Sequence, residues 1–175
     1  MQQSKEYEHQ TQNYRRCGLH AVNNLLQQNK YTRQDFENIA EEIKKETSLS
    51  HYTYFLGNYD LNVIERILLK ESYEIVWVRQ NQEINEELIA DPQVYGLLIS
   101  LIKEMSFIEK LCNWDPRHWV SIRKVIKHDD ELEFYYHDSS LKAPQIKQTP
   151  DMIQELKNLQ MDKAKENYIL LVKKR

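Results

Sequence analysis

Apolar and polar positions follow a helical period in the first half of the chain and a strand period in the second. After a polar start, Cys17 to Leu26 carries Leu19, Val22, Leu25 and Leu26 as one apolar stripe, which predicts a short helix. Thr32 to Lys45 predicts a second helix, with Phe36, Ile39, Ala40 and Ile43 at i, i+3, i+4 and i+7. Thr32 can cap it, with Asp35 in the capping-box position. Leu49 to Asn58 reads as a loop rich in Tyr and Ser. Asp60 then caps a third helix through about Lys70, with Leu61, Ile64, Ile67 and Leu68 inward.

Beyond that helix the period changes. Glu74–Arg79 and Tyr95–Ile102 predict strands, the second an unbroken apolar run of the kind buried on both faces. A short helix over Ile84–Ala90 separates them. Trp119–Ile126 and Leu132–Asp138 predict two strands joined by the polar turn Lys127–Glu131. Asp151–Leu159 predicts a last helix and Tyr168–Lys173 a last strand. Helices mostly first and strands afterwards indicate an α+β domain, a helical N-terminal half packed on a mostly antiparallel sheet. With no internal repeat and no boundary signal, residues 1–175 are expected to form one domain.

Composition narrows the function classes. Hydrophobic residues make up 41% and charged residues 29%, a globular balance. The formal charge of −3 argues against a nucleic-acid binder that neutralises phosphates broadly. With 3 glycines and no phosphate-loop or dinucleotide fingerprint, nucleotide chemistry has no support. No apolar run approaches the roughly 18 residues that span a bilayer, and the N-terminus lacks a secretory signal. The two cysteines, Cys17 and Cys112, are therefore expected as thiols in a reducing compartment, the cytosol or nucleus.

Cys17 stands where the first predicted helix begins. A helix N-terminus carries unpaired N–H groups and about half a positive charge, which favours thiolate over thiol. Arg15 and Arg16 add positive potential, so Cys17 is a candidate nucleophile. The competing reading is an inert buried helix cysteine.

A base is needed. His118 opens a strand, and His137 and Asp138 close the next. Facing residues in that hairpin have numbers summing to about 256–258, which sets His118 opposite Asp138 or a near neighbour. An even sum puts His118 and Asp138 on one face and His137 on the other. Opposed Cβ atoms lie roughly 4.5–5.5 Å apart, within reach for an imidazole and a carboxylate. Such a carboxylate fixes the tautomer of the ring and stabilises the imidazolium. The alternative is an ordinary cross-strand His–Asp pair. His20, one turn after Cys17, is a rival base with a core-edge position. His9, His51 and His128 lie in polar segments or loops. No C-x-x-C or H-E-x-x-H is present, so no metal and no cofactor are expected. Gln12, five residues before Cys17, could fold back and offer its amide to an oxyanion beside the Cys17 N–H.

Four segments together resemble the Josephin family, the papain-like cysteine peptidase domain of ataxin-like and stand-alone deubiquitinases. Gln12 followed by Cys17-Gly18-Leu19-His20-Ala21-Val22-Asn23-Asn24 resembles that family's Gln and C-x-x-H-x-x-N-N pattern. Gly57-Asn58-Tyr59-Asp60-Leu61-Asn62-Val63-Ile64 resembles a stretch of its stand-alone members, as does the end of the chain at Arg175. Arg117-His118-Trp119 resembles the histidine motif, and Tyr136-His137-Asp138-Ser139 the third catalytic position, where some members carry Asn. The similarity runs from about residue 6 to the final strand.

The resemblance implies a papain-like fold and cleavage after the C-terminal glycine of ubiquitin. Cys17 would be the nucleophile, His118 the base and then acid, Asp138 the orienting group and Gln12 an oxyanion donor, with His20 structural. Leu61, Asn62 and Trp119 are the implied substrate contacts, with Tyr52, Tyr54 and Phe55 as further candidates. The loop from Phe107 to Pro116, with Cys112 and Trp114, could be a lid or a substrate contact. The implied partners are ubiquitin and ubiquitinated proteins, met by a monomer without nucleic acid or an integral membrane segment. Two other readings stay open: a catalytically silent ubiquitin-binding module of the same fold, and a Cys–His–Asp acyltransferase or amidase acting on a small metabolite.

Overall fold

Six antiparallel strands form the centre of the molecule, and their apolar runs explain why. The computed structural model describes residues 9–11, 16–47, 52–53, 58–59, 61–104, 107, 111, 117–127, 131–162 and 164–175. In chain order the elements are α1 (Cys17–Leu26), α2 (Arg33–Thr47), β1 (Tyr52–Thr53), β2 (Asn58–Tyr59), α3 (Leu61–Lys70), β3 (Tyr73–Trp77) and α4 (Glu86–Ala90). They continue with β4 (Val94–Ile102), β5 (Arg117–Ile126), β6 (Leu132–His137), β7 (Gln145–Gln148), α5 (Thr149–Met161) and β8 (Tyr168–Lys174). The main sheet has the order β3-β8-β4-β5-β6-β7. This is the α+β architecture expected, in keeping with a papain-like fold.

The unbroken apolar runs of β4 and β8 belong to strands covered on both faces. Leu98, Leu170 and Val172 join one core with α1, α2 and α3, while Leu97, Ile99, Ile169 and Leu171 join a second with α4 and α5. Each fully buried Leu or Ile contributes roughly 1.5–3 kcal/mol, so both faces matter to stability. The first core sets α1 against β5, and the second backs the same strands from behind.

Gly96 allows α1 to sit this close. A Cβ there would lie 2.3 Å from the Ile122 carbonyl oxygen and 2.6 Å from Leu25 Cδ1. Thr32 and Asp35 close the start of α2 as a capping box, the Thr32 N–H donating to Asp35 Oδ2 at 2.8 Å and the Asp35 N–H to Thr32 Oγ1 at 3.4 Å.

Three details differ from the sequence reading. Within the segment read as a loop, β1 and β2 pair antiparallel, Tyr52 with Tyr59 and Thr53 with Asn58; two-residue strands are too short to show a period. β7 was not expected, because Gln-Ile-Lys-Gln has one apolar residue and forms the sheet edge against β6. The short helix begins later, at Glu86, because Asn85 caps it by accepting from the Leu88 N–H at 3.0 Å. Asp60, the expected cap of α3, lies outside the described residues. Among the described residues no helix is long and apolar enough to cross a membrane.

Candidate active site

β5 carries His118 beside the central strand, opposite Leu101 of β4. On its other side β6 pairs with β5 so that Ser121 faces His137, an even register in which facing numbers sum to 258. Continued, that register would set His118 opposite Ser140. Asp138, the first residue beyond β6, reaches His118 from the turn, with Oδ1 2.7 Å from His118 Nε2. The same oxygen accepts the Ser140 N–H at 2.8 Å and the Ser140 hydroxyl at 2.7 Å. Burial favours the neutral acid, but the bonds from His118 and Ser140 win and hold the Asp138 carboxyl far below the usual carboxylate range. His118 is 4% exposed. Burial is the largest influence on its ring and lowers its pKa, yet the bonds to Asp138 and Cys17 together leave it above the ordinary 6.5.

Cys17 is the first residue of α1, 3% exposed, with its sulfur hydrogen-bonded to the His118 ring. Arg16 occupies the N-cap without a side-chain capping bond, and the first turn of α1 holds no acidic residue. The first N–H groups of the helix, which have no intrahelical acceptors, thus open at the cysteine. The His118 ring joins Cys17 and Asp138, an arrangement able to pass a proton between a thiol and an imidazole held by a carboxylate.

Gln10 is stitched to α1 by the buried amides of Asn23 and Asn24. The Gln10 N–H donates to Asn24 Oδ1 at 2.7 Å, and Gln10 Oε1 lies 3.0 Å from His20 Nδ1 and 3.3 Å from Asn23 Nδ2. Asn23 also spans to Tyr31, donating to its carbonyl at 2.8 Å and accepting its N–H at 3.1 Å. His20 therefore faces Gln10. Burial, then Arg16, lowers its pKa.

One comparison decides the family. A family model described as Josephin matches residues 12–173. The chain belongs to the Josephin family. It is 31% identical to Josephin-2 of Homo sapiens over 139 residues, covering 78% of this chain and 70% of that protein, and equally to Josephin-2 of Mus musculus. A Josephin-like protein of Drosophila melanogaster is 24% identical over 167 residues, covering 93% of this chain and 72% of that protein. Membership makes this a cysteine-protease-like domain connected with ubiquitin.

Within this Josephin domain the other singled-out residues are placed unevenly. Leu61 and Asn62 open α3, the first half-buried and the second exposed. Trp119 is 5% exposed and packs in the core beside α1 and α3, its Cδ1 near Gly18. Phe107 and Leu111 are strongly exposed, while Gln12, Tyr54, Phe55, Cys112 and Trp114 lie outside the described residues, as does the Tyr52 side chain. Sequence reasoning missed Ser140 and His9. Asp138-Ser139-Ser140 carried a signal for the first, since an Asp side chain commonly accepts from the residue two further on. Nothing local signals His9, whose partners are 128 and 132 residues away.

Proposed function

We propose that the chain is a deubiquitinating cysteine peptidase, hydrolysing the bond after the C-terminal glycine of ubiquitin through an acyl-enzyme on Cys17. The observation that carries this reading is the 2.7 Å bond that His118 Nε2 donates to Asp138, on a ring that also bonds the Cys17 side chain. In the first step Cys17 Sγ attacks the glycine carbonyl carbon while His118 takes the thiol proton. The oxygen becomes anionic, met by the Cys17 N–H and the Gln12 side-chain amide. The C–N bond then breaks, and the His118 proton leaves with the substrate amine. Water attacks the thioester and gives a proton to His118. The thioester C–S bond breaks, the proton on His118 returns to sulfur, and ubiquitin departs as its carboxylic acid, which gives its remaining proton to solvent. Asp138 stays ionised throughout, holding the ring and its charge. Leu61 and Asn62, at the start of α3, are the proposed ubiquitin contacts, and the partners are ubiquitin and ubiquitinated proteins.

One observation favours the second reading, a silent ubiquitin-binding module. Cys17 is nearly enclosed, so attack requires the site to open. Incubation with a ubiquitin probe bearing a C-terminal electrophile, followed by intact-mass measurement, separates the two. A single adduct lost in Cys17→Ala and kept in Cys112→Ala supports the peptidase. Ubiquitin binding without any adduct supports the module, and small acyl thioesters turned over in place of a ubiquitin amide would sink both.

A further inference from the structure

We infer that His9 and His137 form a neutral hydrogen-bonded latch that holds the segment entering Gln12 against the turn carrying Asp138, and that protonation releases it. The catalytic consequence rests on the peptidase reading; the latch itself does not.

The hydrogen bonds assign both tautomers. His9 Nε2 lies 3.0 Å from the Leu141 carbonyl oxygen, which only accepts, so Nε2 carries the proton and Nδ1 a lone pair. His9 Nδ1 lies 3.1 Å from His137 Nδ1, so His137 donates there. His137 Nε2 is then an acceptor, 3.4 Å from the Gln27 side-chain nitrogen. The rings stack with centroids 5.4 Å apart, and His137 is 0% exposed. Every ring nitrogen is matched while both rings are neutral.

An added proton has no place. On His9 Nδ1 it would point at the N–H of His137. On His137 Nε2 it would point at the NH2 of Gln27, which cannot flip, because that nitrogen also donates to the Asn24 carbonyl at 2.5 Å. Gln27 itself is held as the left-handed C-cap of α1, with φ 54°. Burial first, then the facing His9, pushes His137 down to about 4. The titratable and charged groups on the meeting elements are Cys17 and His20 of α1, the latter turned to Gln10; Arg117, His118, Arg123 and Lys124 of β5; Glu133, Tyr135 and Tyr136 of β6, the Tyr135 ring beside His137; and Asp138 with Lys142 beyond β6. The carboxylates of that set among the described residues are Asp138, occupied by His118 and Ser140, and Glu133, occupied by Lys127 and Gln148.

The latch joins two parts of the proposed site. His137 precedes Asp138, and the Leu141 carbonyl belongs to the turn in which the Leu141 N–H bonds the Asp138 carbonyl at 2.9 Å. His9 leads into Gln10, whose N–H and carbonyl are both held by Asn24, and from there to Gln12.

Ring ¹⁵N–¹H correlation spectra of the ¹⁵N-labelled chain between pH 8 and pH 3.5 test this, together with exchange protection of the Gln10 amide. At pH 8 His9 should show the Nε2–H form and His137 the Nδ1–H form. On acidification Gln10 protection should fall at least tenfold in the transition that charges His137. The opposite tautomer on either ring, or protection unchanged while the rings titrate, would overturn the latch. His9→Phe keeps an aromatic ring but no nitrogen, so it should lack Gln10 protection already at pH 8; full protection there also overturns the proposal. Probe labelling should fall over the same interval in the wild type and lose that component in His9→Phe. A chain that never labels at any pH sinks the peptidase reading and leaves the latch to the spectra.

Discussion

Asp138 Oδ1 accepts three hydrogen bonds, from His118 Nε2 at 2.7 Å and from the N–H and hydroxyl of Ser140. Three donors on one oxygen keep the carboxyl ionised despite partial burial, and its charge in turn favours imidazolium on His118. The pair works as one unit.

Asp138→Asn should lower the His118 pKa, because the amide can accept from Nε2 but brings no negative charge. Adduct formation with the ubiquitin probe at pH 7 should slow by roughly ten- to a hundredfold. The ring is followed by NMR and the adduct by mass; an unchanged His118 titration would show that the carboxylate charge does not act on it.

Ser140→Ala removes one donor to Asp138 and leaves the backbone N–H. A hydrogen bond to a charged group contributes about 1.5–3 kcal/mol, and partial loss should slow labelling by roughly three- to tenfold. Ser140→Thr, which retains the hydroxyl, should recover most of the rate. Equal rates in all three chains would remove Ser140 from any positioning role.

Gly96→Ala drives a methyl group into the Ile122 carbonyl oxygen and the Leu25 side chain. The first obstacle is backbone and cannot rotate away, so the cost should be about 1–3 kcal/mol or more. Urea denaturation should show a lower midpoint, with Gly96→Ser at least as damaged. A midpoint equal to wild type would mean that α1 does not approach β4 and β5 this closely.

Acid should destabilise the fold through His137. Its pKa is lowered in the folded chain, from 6.5 to about 4, so its neutral form stabilises fully above pH 6.5 and loses that contribution as pH falls toward 4. Linkage over that interval amounts to roughly 3 kcal/mol. His118, with its pKa raised, acts oppositely: its contribution is full below 6.5 and is lost as pH rises through the raised value. Urea midpoints between pH 7.5 and 4.5 should therefore drop in the wild type and drop less in His137→Leu. Parallel slopes for the two chains would assign the acid loss to other groups.

Much of this molecule is local and so legible along the chain. The stripes of α1, α2 and α3, the apolar run of β4 and the even parity of β5 and β6 all follow from periods of 3.6 and 2. The Thr32–Asp35 cap spans three residues and needs only its own turn. The Asp138 approach is not a matter of parity alone, because β6 ends at His137 and the carboxylate reaches His118 from the turn beyond it. Distance in sequence set the limit. β7 owes its pairing to β6 rather than to its own pattern, and the second core behind the sheet exists because α4 and α5 fold back over β4 and β8. His9 meets His137 across 128 residues, and Gln10 finds His20, Asn23 and Asn24 on α1. Those partners were chosen by packing, which brings polar groups together and then requires each buried one to be matched.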